Sequence, residues 1–235
     1  MWSIFQTTTA AKEELFRGFT DRHSHLLAGV DDGISTLDES LSVLNMYEQL
    51  GVRRVWCTPH IMEERPTETA LLRTKFNELK TAYAGSVELR LAAEYMIDCV
   101  LTERLRTNDL LTFDDKRLLV ETSYLAAPTN FRDTLSQINS LGLTPILAHP
   151  ERYDYLNFDE LVELKSCFSL EFQLNIGSLL GDYGNRAKHK ATKLLRCGLY
   201  DFAATDLHTA QTLNHLTNRT ISNALFRRLE KLIHH

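Results

Sequence analysis

Residues 117–121, Arg-Leu-Leu-Val-Glu, and residues 144–148, Thr-Pro-Ile-Leu-Ala, are short apolar runs flanking a polar, periodic stretch. Within that stretch Leu135, Ile138 and Leu141 recur at helical spacing; Thr129 or Asn130 is placed to cap the start, and Gly142 to end it. Strand, helix and strand in this order make a crossover unit, which joins parallel strands. The same alternation continues in both directions. Candidate strands lie at 19–24, 53–57, 87–92, 117–121, 144–148, 168–173 and 199–204. Candidate helices lie at 36–50, 67–84, 130–141, 157–166, 185–197 and 218–233. In the 36–50 helix, Leu37, Leu41, Leu44 and Tyr47 mark an apolar face and Gly51 a stop. Seven such units in 235 residues suit an α/β fold closed into a distorted (β/α)7 barrel. Periodicity alone leaves a doubly wound open sheet as the alternative. No linker-like or low-complexity segment divides the chain, so residues 1–235 read as a single domain, with about 1–18 as an N-terminal extension.

Composition narrows the function classes. Hydrophobic residues make up 43% and charged residues 24%, which excludes disorder over most of the chain. The formal net charge of −5 argues against a surface that tracks nucleic-acid phosphates, but not against a local site for one phosphate group. No apolar run approaches the ~18 residues of a membrane span, and residues 1–20 lack the apolar core of a signal peptide. No membrane insertion and a cytoplasmic location are therefore expected. The cysteines Cys57, Cys99, Cys167 and Cys197 are widely spaced and form no CxxC pair, as expected of thiols in a reducing compartment. None has an Arg six residues on, the pattern of a cysteine phosphatase.

The polar residues gather at the strand ends. The first strand runs into His23-Ser24-His25, the second into Thr58-Pro59-His60, the third into Glu94. The fourth ends at Glu121, the fifth at His149-Pro150-Glu151-Arg152, the seventh at Asp206-Leu207-His208. Strand ends in parallel α/β folds share one face, where barrel active sites lie. Residues two apart on a strand point the same way, so His23 with His25, and Asp206 with His208, are each expected to reach one metal together. A single histidine at a strand end is more often structural than ligating. Five of them with three acids, each at its own strand end, point to a metal site, and eight donors suit two or three ions better than one.

These motifs resemble those of the polymerase and histidinol phosphatase (PHP) family, in its bacterial branch of metal-dependent protein-tyrosine phosphatases tied to capsule and exopolysaccharide synthesis. The resemblance covers about residues 19–210. It is carried by His23-Ser24-His25 with Asp31-Asp32-Gly33, Thr58-Pro59-His60, Ala93-Glu94-Tyr95, Glu121-Thr122-Ser123, His149-Pro150-Glu151-Arg152, Gln173-Leu174-Asn175, Gly177–Gly181 and Asp206-Leu207-His208. It implies a PHP-type barrel and a site of two or three divalent ions, manganese first, with Fe, Zn, Co or Mg as alternatives. The implied ligands are His23, His25, Asp32, His60, Glu94, Glu121, His149, Asp206 and His208, with Glu94 and Glu121 as candidate bridges. Asp31 is an alternative to Asp32, though its place before Gly33 suggests a loop-shaping role.

The implied reaction is attack of metal-activated hydroxide on phosphorus, with Arg152 as the catalytic residue that clamps the phosphate. The competing reading of Arg152 is a solvated loop residue paired with Glu151 or Asp154. Arg65 and Arg186 are weaker phosphate candidates, and Tyr95 and Tyr124 candidates for an aromatic pocket or for packing. The implied substrate is a phosphotyrosine-containing protein, the tail of a capsule-synthesis tyrosine kinase. The alternative is a small phosphomonoester such as histidinol phosphate. A metal-dependent amidohydrolase or TatD-like nuclease also opens with HxH, but lacks the Asp-Asp-Gly and HPER elements. A binding module with a dead site is disfavoured because all nine ligands are present. Two departures stand out. Some members carry a second phosphate-binding Arg soon after the last motif, whereas here the first Arg after His208 is Arg219, eleven residues on, which leaves that role unassigned. Arg22 occupies a position usually aliphatic, and strand alternation sends it opposite His23, toward the helices.

Overall fold

The computed structural model describes residues 7–8 and 15–233; most of the expected N-terminal extension, with His234 and His235, lies outside them. Seven staves form the barrel wall. They are β2 (Thr20–Ser24), β3 (Arg54–Cys57) continued by β4 (His60–Ile61), and β5 (Glu88–Leu91) continued by β6 (Glu94–Met96), followed by β7 (Arg117–Glu121), β8 (Thr144–Ala148), β9 (Glu171–Asn175) and β10 (Phe202–Ala204). Two parallel sheets result, β2-β3-β5 and β10-β9-β8-β7-β6-β4. The breaks at Thr58-Pro59 and Ala92-Ala93 move the second and third staves from one sheet to the other. Proline supplies no ladder N–H, which accounts for the first break. The ring closes between its first and last staves: Asp206 N donates to His23 O at 2.9 Å and His25 N to Leu207 O at 2.8 Å. The wall is thus a distorted seven-unit barrel. A short pair, β1 (Thr7–Thr8) with β11 (Ile221–Ser222), lies outside it.

The helices are α1 (Leu37–Gln49), α2 (Thr69–Ala82), α3 (Cys99–Thr107), α4 (Phe131–Ser140), α5 (Phe158–Cys167), α6 (Ile176–Leu180), α7 (Gly184–Arg196), α8 (Ala210–Asn218) and α9 (Asn223–Ile233). Each of the six expected helices is present. The last starts at Asn223 rather than 218, and α3, α6 and α8 were not legible. Helix α3 is polar overall, and its start is marked by Asp98, whose side chain accepts from the N–H groups of Val100 and Leu101. The buried stripe of α1 is Ser40, Val43, Leu44 and Tyr47, while Leu37 is exposed. That rotation carries the Tyr47 hydroxyl to Asp21 at 2.6 Å. The sixth strand begins at Glu171 rather than 168, and the seventh at Phe202 rather than 199.

Alternation along the staves separates two apolar layers. Val55, Leu118, Val120, Leu147 and Ala203 pack outward against the helices, whereas Trp56, Leu119, Ile146 and Phe202 fill the barrel interior. Arg22 departs from expectation. Asp21 is the residue facing the helices, and Arg22 lies inside with Trp56, Ile146 and Phe202. The pairing of β2 with β3 shifts register between Asp21 and Ser24, so the alternation restarts there and both Arg22 and His23 project into the barrel.

Candidate metal centre and phosphate mouth

At the C-terminal ends of the staves the imidazoles and carboxylates converge. His23 Nε2 lies 3.1 Å from His25 Nε2, 3.1 Å from Glu94 Oε2 and 3.3 Å from Asp206 Oδ1. His25 Nε2 is 3.4 Å from both of those acids. On the other side of Glu94, His60 Nδ1 lies 3.1 Å from Glu94 Oε2 and 2.9 Å from Glu121 Oε1, and His149 Nε2 is 3.2 Å from Glu94 Oε1. Among the described residues, three groups of donors are close enough to hold ions: His23, His25, Glu94 and Asp206; His60, Glu94 and Glu121; and His25, His60 and His208. Glu94 belongs to two of them.

Neighbouring groups set the histidine tautomers. His23 Nδ1–H donates to Gln173 Oε1 at 2.9 Å, His25 Nδ1–H to Asp31 Oδ2 at 2.8 Å, and His208 Nδ1–H to the Asp206 carbonyl at 2.9 Å. Each bond leaves an Nε2 lone pair for the centre, the arrangement found around metal-bound histidines. The buried atoms His60 Nδ1, Glu94 Oε2 and Glu121 Oε1 approach one another closely yet lack hydrogen-bond partners among the described residues. Unpartnered buried donors and acceptors are costly, and a shared cation satisfies all three. The His/Glu/Asp set therefore fits divalent metal binding.

The electrostatics agree. Burial opposes charge on His23, but Glu94 and Asp206 outweigh it and push its pKa up to about 9. Burial likewise opposes charge on Glu94, and His23 and His60 hold its pKa well below the usual carboxylate range. Glu121 moves up, through burial and the adjacent Glu94. His149 moves down to about 4, through burial and the nearby Arg152.

Local backbone aims these side chains. His149 and Asp206 both sit at positive φ, 35° and 53°. Such conformations cost roughly 1–3 kcal/mol and persist only where the surroundings impose them. Strand β10 ends at Ala204, so strand alternation does not pair Asp206 with His208 as expected. His208 instead folds back through its bond to the Asp206 carbonyl and stacks on His25, ring centres 3.9 Å apart. The Asp31 carboxylate, shielded from solvent, accepts from the N–H groups of Gly33 and His60 as well as from His25. Gly33 passes so close to His25 that a β-carbon there would lie 2.3 Å from the His25 carbonyl oxygen. Asp32 is largely exposed, with Oδ1 3.6 Å from His60 Nε2.

Arg152 overlooks the centre. Its Nη1 donates to Asp206 Oδ2 at 2.8 Å, and its guanidinium lies 4.5 Å from the Tyr124 ring centre and 4.0 Å from that of Tyr183. The solvated-loop pairing does not form. Asp154 pairs with Arg186, and Glu151 is buried, accepting from Asn175 N and the Tyr200 hydroxyl. A cavity of about 440 Å³ opens here, bounded by the cluster and by Met62, Met96, Tyr124, Arg152 and Tyr183. Arg152 is the sole cationic Arg or Lys in its lining among the described residues. Arg219 donates to the Leu180 carbonyl and borders a separate apolar cavity, and Tyr95 is a core residue whose hydroxyl accepts from Leu111 N. Tyr183 was not singled out from sequence. It lies between two helices with no distinguishing motif.

A family model for capsular polysaccharide synthesis, CpsB/CapC, matches residues 19–222. The chain belongs to the CpsB/CapC family. Among its relatives, tyrosine-protein phosphatase CpsB of Streptococcus agalactiae is 29% identical over 208 residues, 80% of this chain and 82% of that one. Tyrosine-protein phosphatase YwqE of Bacillus subtilis is 25% identical over 216 residues, 86% and 82% of the two chains. The fold matches a solved structure from the pair YwqE of B. subtilis and CpsB of Streptococcus pneumoniae, described as unique metal-dependent tyrosine phosphatases. The TM-score is 0.75, over 92% of this chain and 94% of that one at 23% identity. The CpsB/CapC match spans every residue of the cluster. No helix among the described residues is long and apolar enough to cross a membrane.

Proposed function

We propose that the protein is a metal-dependent protein-tyrosine phosphatase that hydrolyses phosphotyrosine on a protein substrate. The observation that carries this reading is the juxtaposition of Arg152, braced between Tyr124 and Tyr183, with the metal-ligand cluster at the mouth of a CpsB/CapC barrel. His23, His25, Glu94 and Asp206 would hold one divalent ion, and His60, Glu121 and His149, again with Glu94, would hold a second. His208 and Asp32 would complete a third position at the exposed edge. Manganese is the first choice of metal. Divalent ions held there would supply charge to neutralise phosphoryl oxygens and would acidify a water molecule.

The remaining chemistry belongs to the chain. Arg152 presents the N–H groups that Asp206 leaves free to the phosphoryl oxygens, and its charge grows in value as the phosphate becomes more anionic in the transition state. Tyr124 and Tyr183 restrict the guanidinium to one plane and shield it from water. Gln173 and Asp31 keep Nε2 of His23 and His25 turned inward. The open mouth suits an extended peptide bearing phosphotyrosine, such as the tail of a capsule-synthesis tyrosine kinase in the cytoplasm.

Steady-state assays with p-nitrophenyl phosphate, a phosphotyrosyl peptide and histidinol phosphate test the proposal. The phosphotyrosyl peptide should be preferred, with activity lost on chelation and restored by Mn²⁺. Full activity at a metal content confirmed near zero would overturn the metal requirement. A preference for histidinol phosphate would favour the small-substrate alternative.

A further inference from the structure

The opposite end of the barrel carries a second cavity that the phosphatase reading does not use. About 160 Å³ in volume, it lies among the first residues of the staves, with walls from Trp56, Phe113 and Phe202 and three guanidinium groups, Arg22, Arg54 and Arg117. Two of these cations are already paired. Arg54 binds Glu88 through Nε and Nη2 at 2.8 and 2.7 Å, and Arg117 Nε lies 3.0 Å from Glu171. Asp201, also in the lining, is held by Lys165, and Asp114 is an exposed turn residue. Arg22 differs. Among the described residues no carboxylate lies within ion-pair distance of it and no protein oxygen accepts its N–H groups; its guanidinium sits 5.2 Å from the centre of the Phe202 ring. Burial and repulsion from Arg117 and Arg54 lower its pKa, against the smaller pull of Glu171 and Asp114. A partly buried guanidinium facing a cavity offers its N–H groups to whatever enters, and an anion supplies both acceptors and charge.

We infer that this cavity binds a small organic acid, its carboxylate bidentate on Arg22 and its ring-sized apolar body against Trp56, Phe113 and Phe202. The volume agrees, since an apolar cavity of about 150 Å³ accepts a benzene ring. The aromatic walls favour an apolar body over a bare inorganic ion.

Benzoate is the probe, with benzyl alcohol as its neutral counterpart. Both are titrated calorimetrically into the metal-loaded protein, and contact with Trp56 separates this cavity from the catalytic mouth. Benzoate should bind with a Kd of about 1 mM or tighter, and benzyl alcohol at least roughly tenfold more weakly. NOEs should connect the benzoate ring to the Trp56 indole. Arg22→Leu should weaken benzoate about tenfold or more, and Arg22→Lys should retain part of the affinity because ammonium lacks the guanidinium fork. Equal affinity for the two probes, wild-type benzoate affinity in Arg22→Leu, no benzoate binding, or binding without contact to Trp56 would overturn the inference. Should Arg22→Leu not fold, the comparison of the two probes on the wild-type protein decides it.

Discussion

Arg152 Nη1 and Asp206 Oδ2 lie 2.8 Å apart, joining the fifth stave's end to the seventh's across the barrel mouth. Asp206 Oδ1 meanwhile faces His23 and His25. One carboxylate thus faces His23 and His25 with one oxygen and holds the Arg152 guanidinium with the other. Asn175 Nδ2 donates to the same Oδ2 at 2.9 Å and lies 3.2 Å from the Tyr183 hydroxyl, so the tyrosine that stacks on Arg152 is tied into the same network.

Arg152→Ala should keep metal content and fold while kcat/KM falls by roughly 10²–10³, the scale of one lost electrostatic donor. Arg152→Lys should recover only part of that loss. Kinetics with one phosphotyrosyl peptide, alongside metal analysis, provide the check. A wild-type rate in a fully metallated Ala variant would remove Arg152 from the site.

His23→Ala and His149→Ala should each lose metal and most activity, yet remain folded, because each removes a ligand rather than core apolar volume. Circular dichroism and metal analysis of the purified variants separate the two effects. Wild-type metal content with a wild-type rate would exclude the residue as a ligand.

Asp31→Asn should weaken metal binding by about 10–100-fold, the usual consequence of losing a hydrogen-bonded carboxylate behind a metal-binding imidazole. Competition with a chelating dye measures it. Asp32→Asn should act differently, since Asp32 lies at the exposed edge: loss confined to the weakest-bound ion is expected.

Tyr47→Phe should destabilise the protein by about 1–3 kcal/mol, the penalty for leaving a buried acceptor short of a partner. Tyr47 donates to Asp21, which also accepts from Thr205 N and Oγ1, locking the first stave to the seventh. Urea unfolding gives the difference directly. A midpoint equal to wild type would show that Asp21 is satisfied without Tyr47.

Thiol alkylation under native conditions should leave the rate unchanged. Cys57 is buried, and burial pushes its thiol up to about 12, so little thiolate is available. Cys99, Cys167 and Cys197 are exposed and modifiable, and none lines the mouth. Stoichiometric inactivation with one labelled cysteine would instead indicate a thiol nucleophile.

The strand and helix alternation was legible in the sequence because hydrophobic periodicity is local, whereas closure of the ring rests on bonds between its first and last staves. Apolar runs at a strand's length, helical spacing and Gly stops each report on a few neighbouring residues. The His and acid motifs were legible for a related reason: parallel staves place all their C-terminal ends on one face, so listing those ends lists the mouth. Tertiary structure decided what depends on distant partners. The register shift between Asp21 and Ser24 turned Arg22 inward, which strand alternation from sequence could not foresee. The bond from His25 to Asp31 gave that acid an orienting role beyond shaping its loop. Positive φ at His149 and Asp206 re-aimed two side chains past the ends of their strands. Tyr183 met Arg152 only because α7 begins beside the mouth. The register shift and the Tyr183–Arg152 contact pair residues far apart in the chain, about which local patterning carries no information; the His25–Asp31 bond and the two positive φ angles are local, but the surrounding structure imposes them and no spacing rule encodes them.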